Sequence, residues 1–438
     1  MPVASSSGKA TLHASDGALA AHTRHLIALR LLPFLFILYV TNYLDRTNVA
    51  YAALEMSKDL GFSDRVFGMG AGIFFVSYVA LQLPGVMLVD RWGARRCISA
   101  ILIAWGSLTA LTGLVHTASE FYTARIILGG AEAAFFPGVV VYLSHWFIRE
   151  DRAKAGSNFM AAIPLSFVIG SPLAGWILGQ HWLNLAGWRW LFVLEGLPAV
   201  LLGVVAFFYL TDCPADADWL EPRQREWIVN KLDEETPVET ETLSVWQVIG
   251  SRPVLILATA AFLEYFVAYT FMFWFPTLLK RMSGLSNSRI GLLGTLPYIV
   301  GFIALQINGW HSDKTGERRW HAAIPVFIAA TALLGLITLP TTTRLTVVLF
   351  TVMYITQGFL AVFWTIPTEI LGASQAAAAV GMINAVASVA GFAGPYLFGY
   401  LQTRTGSFTY GLGTMMAAAV LGGMMVLMVP KSPPLPED

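Results

Sequence analysis

Two adjacent ionisable residues, Asp45 and Arg46, stand in Asn42-Tyr43-Leu44-Asp45-Arg46-Thr47-Asn48, inside an apolar stretch long enough to span a bilayer. A second pair, Arg125 and Glu132, lies in another apolar stretch. Ionised side chains at membrane depth are costly unless paired or hydrated, so their default reading is functional. Arg46 is the candidate anion ligand. Guanidinium keeps its charge at any working pH and grips a carboxylate through two parallel hydrogen bonds. Tyr43 is one turn back and Tyr39 two, so both share its helix face. Their hydroxyls suit a polar organic anion. The competing reading is a structural ion pair that never touches substrate.

Neighbouring residues point about 100° apart on a helix, so Asp45 cannot simply neutralise Arg46. Arg125 and Glu132 share one helix face, roughly 10 Å apart along it. The four charges balance. Crossed pairs are expected: Arg46 with Glu132, and Asp45 with Arg125. Protonating Glu132 would then release Arg46 for substrate. The alternative is that Arg125 and Glu132 only lock one half of the molecule. Tyr78, Tyr269, Trp364, Thr365 and Asn384 are further candidate pocket residues, since aromatics with a polar edge suit an anion bearing hydroxyls or a ring. For any single aromatic, helix packing competes with that reading. A buried Asn384 amide would need a partner. Glu264 is a possible extra acid, expected to face the cavity near Tyr265 or Tyr269, or else to bond within its own half.

The elements that must position these side chains are membrane helices. Of 438 residues, 56% are hydrophobic and 12% charged, about half the charged fraction of a soluble protein. Apolar runs recur near 29–50, 66–89, 97–115, 120–147, 154–180 and 188–211, then near 253–280, 287–311, 321–340, 345–370, 375–402 and 408–430. Each approaches the length that crosses the hydrocarbon core, and none alternates as a barrel strand would. The expectation is an all-α membrane protein with twelve transmembrane helices in two six-helix halves, 29–211 and 253–430. Residues 1–28 read as a disordered cytoplasmic tail. Residues 212–252 read as a charged cytoplasmic linker holding a short surface helix over Arg223–Leu232, and 431–438 as a second tail. With the N-terminus inside, Arg91, Arg95, Arg96, Arg149, Arg152, Lys154, Lys314, Arg318 and Arg319 fall on the cytoplasmic side, more than the outer loops carry. Both termini are therefore expected inside, in a bacterial inner membrane.

Lys and Arg number 27, as do Asp and Glu, so nothing suggests a nucleic-acid partner. Cys97 and Cys213 sit near expected cytoplasmic ends, which argues against disulfides. His116, His145, His181 and His311 have no metal-ligand spacing. No nucleophile–base pair or phosphate cradle appears, and Gly68-Met69-Gly70-Ala71-Gly72 lies within an apolar run rather than between a strand and a helix. An enzyme is not expected, and no metal or cofactor is implied.

The two halves repeat. Asp90-Arg91-Trp92-Gly93-Ala94-Arg95-Arg96 follows the second run and Asp313-Lys314-Thr315-Gly316-Glu317-Arg318-Arg319 the eighth. Parallel six-helix repeats form a transporter architecture with the site between them near the midplane. The doubled loop resembles the signature of the major facilitator superfamily. The segments Asn42–Asn48, Gly187–Pro198, Phe273–Thr277, Gly309–Asp313 and Phe363–Thr368 resemble its anion:cation symporter family, bacterial relatives of vesicular glutamate and sialic-acid carriers. Against that pattern Glu264 and Glu369 look unusual. The resemblance implies the major facilitator fold, and Asp45 and Glu132 as proton carriers beside Arg125. Asp90, Arg91, Arg95, Asp313, Lys314 and Arg318 are implied as a cytoplasmic gate. The bacterial branch resembles carriers of tartrate, phthalate, sugar acids and hydroxyphenylacetate. The expected function is proton-coupled uptake of a small organic carboxylate by alternating access, as a monomer. Protons would be the coupling ion. An exchanger or exporter of organic anions is the second reading, and a non-transporting membrane sensor the third.

Overall fold

The computed structural model describes residues 6–235, 248–340, 342–371 and 373–430. Among them, twelve helices are long and apolar enough to cross a membrane. Spans one to six are Gly17–Asp59, Asp64–Val89, Ala94–Thr112, Ala118–Trp146, Arg149–Ile177 and Gly187–Tyr209. Spans seven to twelve are Arg252–Ser283, Asn287–Thr315, Arg319–Thr338, Thr343–Ile370, Ala378–Thr405 and Phe408–Leu427. The described residues contain no strand, which agrees with the expected all-α architecture.

Several helix ends are set by local sequence. Ser63, Thr117 and Thr342 each accept from the amide three residues on, satisfying a donor the helix itself cannot pair. Gly284 and Gly316 end spans seven and eight with φ of 68° and 67°, the left-handed cap that favours glycine.

Three spans are broken, each by a proline. A proline ring clashes with the carbonyl four residues back and removes a helix hydrogen bond. Pro137 divides span four into Ala118–Glu132 and Phe135–Trp146. Pro164 divides span five into Arg149–Met160 and Ala162–Ile177. Pro367 separates Gly358–Phe363 from Ile366–Ile370 in span ten, which also tightens to a 3-10 turn over Tyr354–Gln357. Glu132 thus ends a helical segment, where backbone geometry is least constrained.

The N-terminal expectation needs correction. Helix, not a disordered tail, runs from Ser6 to Asp59. The physical reason is an anchor: Arg24 Nε and Nη2 donate to Asp151 Oδ2 and Oδ1 at 2.7 and 2.6 Å, tying the helix to the start of span five. Thr23 and Ile27 are buried in the same region. Residues 1–5 and 431–438 lie outside the described residues. In the linker, helix Pro222–Glu234 matches the expected surface helix, with Glu221 and Gln224 forming a reciprocal capping box. Residues 236–247 also lie outside the described residues.

The two halves meet at the end away from the linker. Arg281 Nη1 and Nη2 donate to Asp64 Oδ2 and Oδ1 at 2.7 and 2.6 Å. Asn287 Nδ2 donates to Glu55 Oε1 at 2.7 Å, and the Arg65 amide to Thr403 Oγ1 at 2.8 Å. Spans five and eight touch through small residues. A Cβ at Gly291 would lie 2.4 Å from the Ser171 carbonyl oxygen, and one at Gly175 2.8 Å from that of Asn287. Only glycine permits this approach, as in other membrane helix pairs. At the linker end no hydrogen bond joins the halves among the described residues. The hydrogen bonds that join the halves among the described residues thus lie at the end away from the linker, which is the closed end.

Candidate functional site

Span one positions the central charges. Arg46 is 8% exposed and Glu132 1%, and Arg46 Nη2 donates to Glu132 Oε1 in a buried ion pair. Asn42, one turn back from Arg46, donates to the same oxygen at 2.9 Å. Aromatic rings enclose the guanidinium. Its carbon lies 5.2 Å from the Tyr43 ring centroid, 5.2 Å from Tyr78 and 5.7 Å from Phe74. Such ring faces attract cations, more strongly where water is excluded. Tyr269 joins the group from span seven as an electrostatic neighbour of Arg46, packed 4.6 Å from the Phe75 ring. Among the described residues Arg46 Nε has no hydrogen-bond partner. The structure therefore brings Arg46, Glu132, Tyr43, Tyr78 and Tyr269 together, with one guanidinium nitrogen left unpaired. Tyr39 stacks on Phe159 at 4.1 Å and meets Tyr43 edge-on at 5.1 Å.

The second crossed pair is not an ion pair. Asp45 Oδ1 accepts from Asn48 Nδ2 and Oδ2 from Thr109 Oγ1, both at 2.7 Å. Arg125 instead donates from Nε to the Gly70 carbonyl at 3.2 Å and lies 4.8 Å from the Phe74 ring centroid. Its Nη2 has no partner. Neutral donors on spans one and three reach Asp45, and Arg125 acts on it only at longer range. Phe74 consequently contacts both cations, Arg46 and Arg125.

The remaining candidates divide. Trp364 is half-buried beside Tyr265. The Thr365 hydroxyl is taken by the Val362 carbonyl at 2.8 Å, so it is occupied within its own turn. Asn384 is half-buried rather than buried, and its carbonyl accepts from Ser388 at 2.8 Å. Glu264 does not join the charged cluster. It is 1% exposed inside its own half, accepting from Thr356 Oγ1 at 3.1 Å through Oε2, while Oε1 has no partner. The helical rotation from Tyr265 to Glu264 turns the acid toward span ten, so of the two alternatives it takes the bond within its own half.

The gate candidates bond within their halves. Arg318 donates to Asp313 Oδ1 at 2.6 Å and to Glu369 Oε1 at 2.8 Å. Lys314 lies 5.4 Å from the Trp310 ring centroid. The Arg95 amide donates to Asp212 Oδ1 at 2.8 Å, and Arg91 is exposed. The Asp90 side chain lies outside what the structure describes. His311 contacts His321 at 2.6 Å, which contacts Glu317 at 2.8 Å. Among the described residues no such group is arranged to hold a metal.

Sequence reasoning did not single out Asn42, Asn48, Phe74, Thr109 or Glu195 as site residues. Helical spacing alone could have found Asn42, one turn from Arg46, and Asn48, one turn from Asp45. Thr109 and Glu195 reach the site from other spans, and no local pattern marks them.

Residues 35–395 match the Major Facilitator Superfamily. The chain is 38% identical over 413 residues to an Agrobacterium vitis protein named for tartrate transport, covering 93% of this chain and 94% of that one. It is 35% identical to the "Quinolone resistance transporter" of Acinetobacter baumannii over 92% of this chain and 94% of that one. A solved bacterial homologue of the human lysosomal transporter Spinster, inward-facing and unoccupied, superposes with a TM-score of 0.77 at 18% identity, covering 93% and 97% of the two chains. The protein belongs to the Major Facilitator Superfamily. It is a multi-pass membrane transporter and not an enzyme.

Proposed function

We propose that this transporter is a proton-coupled symporter of the anion:cation type, taking up a small organic carboxylate such as a hydroxy acid or sugar acid. The observation that carries this reading is the buried Arg46–Glu132 pair within its ring of aromatic residues. Glu132 occupies Arg46 as a substrate carboxylate would. Protonating Glu132 removes the ionised partner of Arg46 and leaves an unpaired buried cation, which is costly. An entering carboxylate restores neutrality. The proton creates the anion site, and the anion stabilises the protonated carrier, so neither has reason to cross alone. Tyr43, Tyr78 and Tyr269 supply hydroxyls for a hydroxylated anion. The relative named for tartrate transport supports this class.

The excess of basic residues near the linker supports a cytoplasmic position for that end and both termini. The closed end then faces outward. The protein works as a monomer in the bacterial inner membrane, with no cofactor besides the coupling proton.

The test is accumulation in reconstituted vesicles. Labelled L-tartrate, galactarate and 4-hydroxyphenylacetate are offered with and without an inward proton gradient. Gradient-dependent accumulation of one of them supports symport. Efflux driven by an opposed gradient, or exchange alone, favours the exporter or exchanger reading, for which the relative named for quinolone resistance is the specific prompt.

A further inference from the structure

Spans three and six approach backbone to backbone. A Cβ at Gly106 would lie 2.6 Å from the Gly196 carbonyl oxygen, and one at Gly196 3.2 Å from Thr109 Cβ. That approach sets Glu195 next to the residue whose hydroxyl binds Asp45. Glu195 is 5% exposed, and among the described residues its Oε2 has no hydrogen-bond partner. Asp45 and the Asn48 amide act on it directly. From span one it also faces Tyr51. Span three presents only the neutral Thr109. From span four, Arg125 and Glu132 act on Asp45 rather than on Glu195. Among the described residues no Lys, Arg or His forms an ion pair with Glu195.

The buried charges of the N-terminal half do not balance. Among the described residues, three buried acids, Asp45, Glu132 and Glu195, stand against two buried guanidiniums, Arg46 and Arg125. Glu132 and Arg46 satisfy each other. Two carboxyls and Arg125 remain, and Arg125 is directed at a carbonyl and a ring. An isolated buried carboxylate is so costly that the group takes up a proton instead. Asp45 already has a donor on each oxygen, from Asn48 and Thr109. Glu195 has a bare oxygen.

We infer that Asp45, Asn48 and Glu195 form one proton-holding site, with the proton on the Glu195 carboxyl in the conformation described. Asn48 donates to Asp45 and is an electrostatic neighbour of Glu195, so the two acids are coupled. The proton exchanges with water as Glu195 ionises, and no other reactant is required. This store is separate from Glu132. Its part in coupling rests on the symport reading, but its existence does not.

Infrared spectroscopy of the purified protein at neutral pH reads a protonated carboxyl directly, by a carbonyl band that shifts in deuterated water. Glu264 is another buried acid, so the Glu264→Gln variant is the background. The expected result is a band in that background that disappears when Glu195→Gln is added and moves in frequency when Asn48→Ala is added. A band unchanged by Glu195→Gln, or one lost with Asp45→Asn instead, overturns the assignment. Should Glu195→Gln fail to fold, Glu195→Asp must shift the band, and an unshifted band again overturns it. No substrate enters this measurement, so a failed transport assay leaves its outcome intact. In vesicles that accumulate L-tartrate, Glu195→Gln is further expected to lower the number of protons entering per anion. An unchanged ratio removes the site from coupling.

Discussion

Arg46 and Asn42 donate to the same oxygen of Glu132, Oε1. One donor is charged and the other neutral. A proton on Glu132 would therefore cancel the ion pair while an amide contact still held the side chain in place. Glu132→Gln mimics that state. It is expected to bind substrate with little dependence on pH and to sustain counterflow. In the parent, binding should depend on pH. Gradient-driven accumulation should fall to the level of passive equilibration in the variant. Counterflow and gradient-driven uptake measured on the same vesicles check this. Normal accumulation by Glu132→Gln would remove it from the proton path.

Arg46→Lys keeps the positive charge but loses the planar two-pronged donor. Losing a buried charge-assisted contact costs about 2–5 kcal/mol, so affinity should drop by at least ~30-fold while the fold persists. Direct binding to the purified variant, beside its melting temperature, gives the answer. Parent-like affinity would place the anion elsewhere.

Asp64 and Arg281 clasp the closed end, and Arg281 is 41% exposed. Pairs of this kind contribute about 0.2–1 kcal/mol. Arg281→Ala should accordingly shift the balance toward opening at that end by roughly 1.5- to 5-fold. Spin labels at Ser57→Cys and Ser283→Cys, one in each half, would report a larger long-distance population. An identical distance distribution would assign the closure to the remaining contacts at that end, the Asn287–Glu55 and Arg65–Thr403 hydrogen bonds and the glycine contact of spans five and eight.

Glu264 accepts from Thr356, and among the described residues no Lys, Arg or His forms an ion pair with it. A neutral acid is the cheaper form in such a place. Glu264→Gln should leave the pH profile of transport unchanged, whereas Thr356→Val should lower stability by about 1–3 kcal/mol by removing the donor. Uptake against pH and thermal melting test the two parts, and a shifted pH profile in Glu264→Gln would bring this acid into the proton path.

Much of the architecture was legible in the chain. Span length and continuous apolarity come from bilayer thickness, which acts on each segment separately. The doubled Asp90 and Asp313 loops disclosed the repeat for the same local reason. Arg46 and Glu132 could be paired because charge at membrane depth demands a partner and few were available. Tertiary structure decided the rest. Whether Asp45 meets Arg125 or Thr109 depends on how spans one, three and four rotate against one another, and sequence spacing does not encode that rotation. Glu195 gained its meaning only when Gly106 and Gly196 let two backbones touch. Glu264 turned toward Thr356 through the packing of spans seven and ten. The N-terminal helix persisted because Arg24 found Asp151, a partner more than a hundred residues away. Local chemistry announced which groups needed partners, and long-range packing chose them.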